Sequence, residues 1–339
     1  MVAGPTRSDS FVREGLDRWL RDAARDLGSA VRQIERPATG WSNETLLVTT
    51  DTSRFVVRLP ALVAAYPDYD LAAQAHVHRV LTEHGVPAPR VHALEDDGRW
   101  LAAPFLVMAW VGGRALGEVP AHDPVLRAAS PEMRRAMHEQ YVDALASVHR
   151  IEDRRLLPQL RCGLSDELAY WSAYLDWSCD GAPPRRLADA LRWCAENCRE
   201  ASADVLLWGD PRLGNAMYDD EGALVALLDW ELASLGPAEM DLAWYVALGE
   251  LTASYMGAEP EGLLSSNELL ARYAATNGRQ PDEFAWHRVF ALVRSAAINN
   301  CMAQLAHRHG IGYPGVAGDG NPVLDVIWAA IESADRRSM

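Results

Sequence analysis

The chain has 339 residues, 49% of them hydrophobic, and its 32 basic and 47 acidic residues give a formal net charge of −15. This length predicts one or two globular domains, and the negative charge disfavours nucleic acid as a partner. No apolar run reaches the roughly 20 residues of a membrane helix, and the first residues lack the apolar centre of a signal peptide. We therefore expect neither a membrane partner nor secretion.

Five cysteines occur at irregular spacing, which argues against a disulfide framework and predicts a protein of the reducing cytoplasm. Cys194 and Cys198 are four residues apart on a predicted helix, but no second Cys/His pair stands nearby, so ordinary packing is favoured over metal binding. The charge is uneven, because residues 151–339 carry 15 arginines and 28 acidic residues. This half would favour a cationic ligand, or it simply has a solvated acidic surface.

Residues 1–111 have the patterns of a small lobe rich in β-structure, which we predict to bind a nucleotide. The spacing of apolar residues predicts a leading helix capped by Ser8 or Ser10. Residues 51–53 predict a hairpin turn, and the Gly112-Gly113 pair marks a joint after the lobe. In chain order the predicted elements are a helix over 10–27, strands over 31–36, 44–50 and 54–59, a helix over 71–81, and strands over 91–94 and 105–110.

Residues 112–339 predict a larger, mainly helical lobe that holds a catalytic loop, a metal site and an acceptor site. Its predicted helices cover residues 131–150, 168–177, 186–198, 240–255, 267–275, 283–305 and 322–334. Short strands interrupt this pattern, one of them within residues 223–228. Together the patterns predict an α+β fold of two lobes, with a cleft between them of the kind that usually binds a cofactor.

The most informative segment is LLWGDPRLGNAMYDDEGALVALLDWE, which contains Asp210, Asn215 and Asp229. Phosphoryl transfer from a nucleotide needs a carboxylate near the attacking hydroxyl and oxygen ligands that hold Mg²⁺ on the phosphates. We predict Asp210 as the catalytic base, and Asn215 and Asp229 as the Mg²⁺ ligands. An isolated Gly-Asp-Pro sequence would more often be a simple turn, but the three residues together indicate a small-molecule phosphotransferase.

Three neighbouring charged residues have mainly structural interpretations. Arg212 could contact a phosphate, but a bidentate pair with Asp210 or Glu231 is favoured. Glu231 itself is predicted to be mainly structural. Asp241 either caps a helix N-terminus or holds the main chain of the catalytic loop.

A segment between two predicted strands, residues 40–45, occupies the position of a phosphate-covering loop. Its donors, among them the side chains of Ser42 and Asn43, could face phosphate oxygens. The segment has one glycine and is not a GxGxxG motif, so this signal is weak by itself.

The small lobe must also supply a cation and an adenine contact. The chain has no lysine, so Arg58 in FVVRLP is the candidate cation for the α- and β-phosphates. The alternative is an arginine on the surface of a strand. Met108 and Trp110 lie in the predicted hinge, where main-chain groups would bind the adenine of ATP or the guanine of GTP.

These motifs resemble the aminoglycoside phosphotransferase-like family, whose fold is related to that of protein kinases. The family carries a motif close to HGDxxxxN followed by an Asp in a DW or DF pair, which here correspond to WGDPRLGN and DWE. GDPRLGN, DWE, GWSNETLLV and PFLVMAWVGG are most similar to a branch that includes kinase-like domains fused to some acyl-CoA dehydrogenases. The resemblance covers residues 10–330.

By this resemblance the fold is a protein-kinase-like α+β arrangement, with a small antiparallel-sheet lobe before a larger helical lobe. The resemblance gives Asp210, Asn215, Asp229 and Arg58 the roles stated above. It implies transfer of the γ-phosphoryl group of ATP or GTP, with Mg²⁺, to a hydroxyl of an aminoglycoside-like or hydroxyacyl acceptor. The alternative is a nucleotide-binding pseudokinase that regulates a partner without phosphoryl transfer.

Two positions depart from the family pattern. Trp208 replaces the motif histidine, and we expect the indole to brace the catalytic loop in its place. Gln74 replaces the helix glutamate that normally pairs with the strand-three lysine. An Arg58–Gln74 hydrogen bond would be weaker than that ion pair.

Overall fold

The computed structural model describes residues 5–37, 42–199, 204–282, 284–310, 313 and 315–338. In chain order the α-helices of this part are α1 (Asp9–Asp22), α2 (Leu71–Glu83), α3 (Pro124–Ala128), α4 (Pro131–Val148), α5 (Gly163–Ser178), α6 (Arg185–Glu196), α7 (Glu239–Met256), α8 (Ser266–Asn277), α9 (Phe284–Arg308) and α10 (Val323–Ser338). The strands are β1 (Val31–Glu35), β2 (Asn43–Thr50), β3 (Arg54–Pro60), β4 (Val91–Glu95), β5 (Phe105–Ala109), β6 (Arg114–Ala115), β7 (Val205–Leu207), β8 (Ala216–Tyr218), β9 (Leu224–Leu227) and β10 (Ser234–Gly236). None of the described helices is long and apolar enough to cross a membrane.

An antiparallel sheet of five strands, in the order β1-β2-β3-β5-β4, forms the centre of the small lobe. Strand β2 alternates buried and partly exposed residues, so that Leu46 and Val48 face a core that also contains Phe55. Helix α1 covers this face, and its Trp19 ring packs edge-on against Phe55 and Phe105. Because side chains alternate along each strand, one face of the sheet packs against α1 and the other face points away from it.

Helix α2 connects the two lobes through its opposite faces. Leu71 and Ala75 pack with Leu106 and Met108 of the sheet, whereas a second stripe that includes Val77 lies in the core of the large lobe. A helix with apolar residues on both sides is expected to be buried between two layers. The position of the small-lobe sheet is therefore tied to the large core through α2.

The large lobe is built around α9, which is buried on nearly all sides. It contacts α5, α6, α7 and α10. Two short sheets, one of β10 and β7 and one of β6, β8 and β9, lie beside the helices. The segment between β7 and β8 and the residues just after β9 form the face of this lobe that is turned towards the cleft.

Most predicted elements occur within a few residues of their predicted bounds, and Ser8 caps α1 as predicted. The sequence patterns do not predict α3, β6 or β10, because elements of two to five residues have no measurable periodicity. Helix α5 begins at Gly163, five residues earlier than predicted, and the sequence gives no signal of this start because the N-cap, Cys162, offers no side-chain cap. Glu283, the predicted first residue of α9, lies outside the described residues.

Candidate active site

Residues 208–215, the catalytic loop, connect β7 to β8 and are held by a buried aspartate. The carboxylate of Asp241 accepts hydrogen bonds from the main-chain N–H of Trp208 at 2.7 Å and of Gly209 at 3.0 Å. His149 lies 3.0 Å from the same carboxylate. The N-cap interpretation of Asp241 is wrong, because Ala238 occupies that position of α7. Its alternative role, which is to hold the catalytic loop, is the one observed.

Gly209 is required by the path of this loop. Its φ of +88° lies in the left-handed region, and a Cβ atom there would stand 2.2 Å from the carbonyl oxygen of Leu232. Any other residue would therefore collide with the segment that follows Asp229.

Trp208 connects the two segments that carry the predicted catalytic residues. Its indole Nε1 donates to the Leu228 carbonyl at 2.7 Å, and its ring stacks on Trp230 at 5.4 Å. The residue before the metal-binding candidate Asp229 is thus fixed against the start of the catalytic loop. An aromatic side chain makes this connection at the position where the family has histidine.

Three donors surround the carboxylate of Asp210. The Trp244 indole donates to Oδ1 at 2.8 Å, whereas Arg212 at 2.9 Å and Asn215 at 3.0 Å donate to Oδ2. The side chain is still 16% exposed. The predicted pairing of Arg212 with Asp210 is confirmed, and this carboxylate raises the pKa of Arg212 further above its ordinary value. The carboxylate of Asp210 is consequently held in a fixed orientation and remains accessible from the cleft.

The β8–β9 hairpin brings Asn215 and Asp229 together. Its register pairs Ala216 with Leu227, so the next residue outward on each side is Asn215 and Leu228, joined by a hydrogen bond of 2.8 Å. Asp229 follows with a φ of +64°, a conformation that is strained for an aspartate and is typical of functional sites. Because Asn215 Nδ2 donates to Asp210, its Oδ1 is the atom that can bind a metal.

Arg58 reaches across the cleft from the small lobe. It lies on β3, the central strand of the sheet, and is only 7% exposed. Its Nη2 contacts Asp229 and also Glu231 at 3.2 Å, and its Nε donates to the Tyr69 hydroxyl at 2.7 Å. The alternative of a surface-strand arginine is therefore wrong.

The expected hydrogen bond between Arg58 and Gln74 is also wrong. Gln74 Oε1 is buried without a hydrogen-bond partner, whereas the guanidinium of Arg58 is engaged by acids of the other lobe. Burial, followed by the charge of Arg58, lowers the pKa of His78, one turn further along α2, to about 4. The face of α2 towards Arg58 is thus uncharged.

Carboxylates are concentrated where the two lobes meet. Burial, followed by the charge of Asp229, raises the pKa of Glu231 above its ordinary value, and Arg58 opposes this shift. Asp210 and Asp229 line the same cavity as Glu231, with a volume of about 570 Å³. Negative charges that share one cavity repel one another, so a bound divalent cation would be stabilised here.

The chemistry of these side chains fits Mg²⁺. Asn215 and Asp229, the two predicted ligands, offer oxygen atoms, which this ion prefers. In the described part of the chain no group of three or more His, Cys, Asp or Glu side chains could hold a metal alone. Mg²⁺ would therefore complete its shell with phosphate oxygens and water, as it does in nucleotide sites.

The predicted nucleotide contacts are distributed around the same region. Ser42 lines the cavity, and Asn43 donates to its hydroxyl at 3.1 Å. Met108 is buried at the end of β5, and Trp110 is 38% exposed under the guanidinium of Arg54. The last two residues lie at the crossing between the lobes and do not line this cavity. Gly40 and Trp41 of the predicted phosphate loop lie outside the described residues.

The cavity continues from Asp210 along one face of α7 towards solvent. Four residues at helical spacing lie on this face, namely Trp244, Leu248, Leu251 and Tyr255. The opposite wall is formed by α9, which contributes Ser295, Ile298, Asn299 and Met302. The charged residues that line the cavity are Glu118, Asp210, Arg212, Asp229, Glu231 and Glu259. The space beside Asp210 is therefore mainly apolar, with acidic groups at its ends.

Sequence patterns did not identify two residues of this site, Trp244 and Arg294. Trp244 follows Asp241 by three residues, so both lie on one helix face, and this spacing could have indicated a contact with the loop. Arg294 stands within the apolar run FALVRSAA. A single charge in such a run indicates a buried and partnered group.

Comparison with known proteins gives a family match and several structural neighbours. The sequence model of the Phosphotransferase enzyme family matches residues 33–292. A protein of Ralstonia eutropha assigned to the aminoglycoside phosphotransferases has a TM-score of 0.69, 20% identity and 97% coverage of both chains. Macrolide 2'-phosphotransferase MphH of Brachybacterium faecium has a TM-score of 0.56, 16% identity, and coverage of 94% of this chain and 96% of its own. These likenesses confirm the predicted two-lobed, protein-kinase-like α+β fold.

Similar curated proteins belong to the acyl-CoA dehydrogenases, as the resemblance to that branch predicted. Probable acyl-CoA dehydrogenase IBR3 of Arabidopsis thaliana is 28% identical over 291 residues, which cover 76% of this chain and 34% of the relative. Acyl-CoA dehydrogenase family member 11 of Rattus norvegicus is 24% identical over 299 residues, which cover 83% of this chain and 38% of the relative. The chain thus spans about a third of the length of these relatives.

Proposed function

The chain belongs to the phosphotransferase enzyme family, and on this premise we propose that it is a small-molecule kinase. It transfers the γ-phosphoryl group of ATP or GTP to a hydroxyl of an organic acceptor. The observation that carries this proposal is that Asp210 and Asp229 line one cavity, while Asn215 is hydrogen-bonded to Asp210 and the cation Arg58 reaches Asp229 from the small lobe. The free state of all five cysteines fits the cytoplasmic location that we also propose.

Asp210 orients the acceptor hydroxyl and takes its proton as the phosphoryl group is transferred. The three donors around its carboxylate fix its direction, so that little reorganisation accompanies the reaction. When bound, Mg²⁺ neutralises phosphate charge, and Asn215 and Asp229 are the residues that would hold it.

Arg58 has the role of the small-lobe cation. In the structure its guanidinium is paired with Asp229 and Glu231. A triphosphate offers the same guanidinium stronger anionic partners. When the guanidinium of Arg58 turns from Asp229 to these phosphates, the carboxylate of Asp229 becomes available as a metal ligand. Glu231 stays beside Arg58, so the site keeps an acid for its cation although Gln74 has replaced the acid on α2.

The acceptor is proposed to be an alcohol with an apolar body. From Trp244 to Tyr255 the apolar face of α7 extends about 16 Å, at 1.5 Å per residue. Such a wall favours a hydroxyacyl compound over an aminoglycoside-like polycation, whose ammonium groups would lose water against it. Arg155 and Arg186 lie outside the cavity and are already paired with Asp153 and Asp325. We therefore assign no cation to the phosphates of a CoA group and place only the acyl portion inside the cavity.

The test is a screen with γ-labelled ATP and GTP in the presence of Mg²⁺. Hydroxyacyl-CoA thioesters, the free hydroxy acids, an aminoglycoside and a macrolide serve as acceptors for the wild type and for Asp210→Ala. We expect label transfer to the hydroxyacyl compounds that disappears in Asp210→Ala. Nucleotide binding with no transfer and no hydrolysis, identical in both proteins, would overturn the proposal and indicate a regulatory module instead.

A further inference from the structure

Arg294 is a cation buried in the middle of α9. It is 2% exposed, and aromatic rings surround its guanidinium, with centroids at 4.6 Å for Trp244, 5.1 Å for Trp171 and 5.9 Å for Phe290. Burial lowers the pKa of this arginine. A charge in such a place is unfavourable for folding unless specific partners offset its lost hydration.

One partner of Arg294 is the main chain of the catalytic loop. Its Nη2 donates to the carbonyl oxygen of Gly209 at 2.9 Å. Asp241 accepts hydrogen bonds from the N–H groups of Trp208 and Gly209 on the other side. A buried cation on the carbonyl and a buried anion on the amides thus fix the backbone that leads into Asp210.

The second partner is the ring that touches the catalytic carboxylate. Trp244 lies with its face on the guanidinium of Arg294 and donates from Nε1 to Asp210 Oδ1 at 2.8 Å. Arg294 therefore contacts two of the groups that set the position of Asp210, namely the preceding carbonyl and the indole.

We propose that Arg294 is a positioning residue for phosphoryl transfer, which acts on Asp210 through the Gly209 carbonyl and the Trp244 ring. This inference rests on the proposed role of Asp210 as the base. A planar guanidinium can stack on an aromatic ring with its face and donate hydrogen bonds within its own plane at the same time, whereas a lysine ammonium cannot. Arginine at this position thus links the two contacts in one rigid group.

The experiment uses Mg²⁺-dependent ATP hydrolysis, with water as the acceptor, in the full chain. Arg294→Met should lower kcat by about a hundredfold through misplacement of the base, with KM for ATP changed by no more than about twofold because ground-state binding is untouched. Arg294→Lys keeps the charge and one donor, and it should recover part of that loss. Arg288→Met is the matched control, since Arg288 lies on the same helix in an exposed pair with Glu250, and its kcat should equal that of the wild type.

A coupled variant separates positioning from mere structural support. In an Asp210→Asn background, Arg294→Met should lower the residual rate no further, because the two residues act as one unit. A loss of the same size in both backgrounds overturns the proposal and leaves Arg294 as a packing residue only.

Trp244→Phe provides the test if Arg294→Met fails to fold. It keeps a ring on the guanidinium and removes only the donor to Asp210, so kcat should fall roughly tenfold, the factor that corresponds to one lost hydrogen bond. Equal rates for the wild type and Trp244→Phe overturn the proposal. Equal rates for the wild type and Asp210→Asn instead overturn the proposed function, on which this inference depends.

Discussion

The catalytic loop and the Arg58 cluster, which consists of Arg58, Asp229 and Glu231, meet at one cavity but are held in different ways. The loop is fixed by hydrogen bonds with buried groups that no ligand would replace. One example is the carboxylate of Asp241, which accepts from the main-chain N–H groups of Trp208 and Gly209. The Arg58 cluster is held by ion pairs across the cleft, and a nucleotide would compete for Arg58 whereas a metal ion would compete for Asp229.

This difference suggests a division of labour within the site. Groups that must be in place before the reaction are built into the large core, where reorganisation is small. Groups that must respond to the nucleotide are joined across the cleft by ion pairs that a ligand can exchange. Changes in the loop should therefore affect turnover and folding, whereas changes in the Arg58 cluster should affect ligand binding.

The largest expected effect is that of Asp210→Asn on turnover. Removal of the base should lower kcat by about a thousandfold, within the range of general-base contributions, whereas the dissociation constant for Mg²⁺–ATP should stay unchanged. Single-turnover transfer of label and equilibrium binding measure the two quantities. A weaker Mg²⁺–ATP complex with intact turnover would break the proposed division.

The complementary change is Asp229→Asn in the Arg58 cluster. The amide cannot supply the anionic ligand, so ATP affinity should lose its dependence on Mg²⁺ and fall about tenfold or more in the presence of the ion. Calorimetric titration with and without Mg²⁺ checks this. Asp219→Asn is the control, since Asp219 lies in the exposed turn between β8 and β9. Equal metal dependence in Asp210→Asn and Asp229→Asn would refute the separate roles.

The two regions also differ in how far the sequence predicts them. The lobes, the sheet and the three residues Asp210, Asn215 and Asp229 follow from periodicity and motif spacing, because both are local properties of the chain. The partners of Arg58 are not predictable in this way, since it bonds to acids 171 and 173 residues away, whereas the family resemblance suggested Gln74 as its partner. Arg294 and Trp244 were missed for the same reason, because their contacts with the loop are set by packing of α7 and α9.

A smaller effect is expected from Asp241→Asn, which tests how the loop is held. The amide retains one oxygen for the two N–H groups of Trp208 and Gly209, so one buried donor loses its partner. We expect a loss of about 2 kcal/mol in the free energy of unfolding, the usual penalty for an unsatisfied buried group. Urea titration measures it, with Asp143→Asn on the exposed face of α4 as control. An unchanged midpoint would show that the loop does not depend on this aspartate.

The smallest expected effect is on how the stability of the fold depends on pH, and it involves His78 of α2, which lies beside Arg58. Burial, with Arg58 second, lowers the pKa of His78 from 6.5 to about 4 in the folded chain. The unfolded chain thus binds a proton more readily, so stability that is present above pH 6.5 is lost as the pH falls towards 4. Between about pH 7.5 and 5.5 this loss amounts to roughly 1 kcal/mol.

His78→Gln isolates that contribution, because glutamine can still donate towards the Pro89 carbonyl that His78 Nδ1 contacts at 3.0 Å. Urea unfolding at the two pH values should show a drop in stability that is smaller by about 1 kcal/mol in the variant than in the wild type. His307→Gln in the exposed last turn of α9 is the control, and its drop should match that of the wild type. An equal drop in wild type and His78→Gln would mean that this histidine is not kept neutral beside Arg58, and that the α2 face of the cleft is open to protonation.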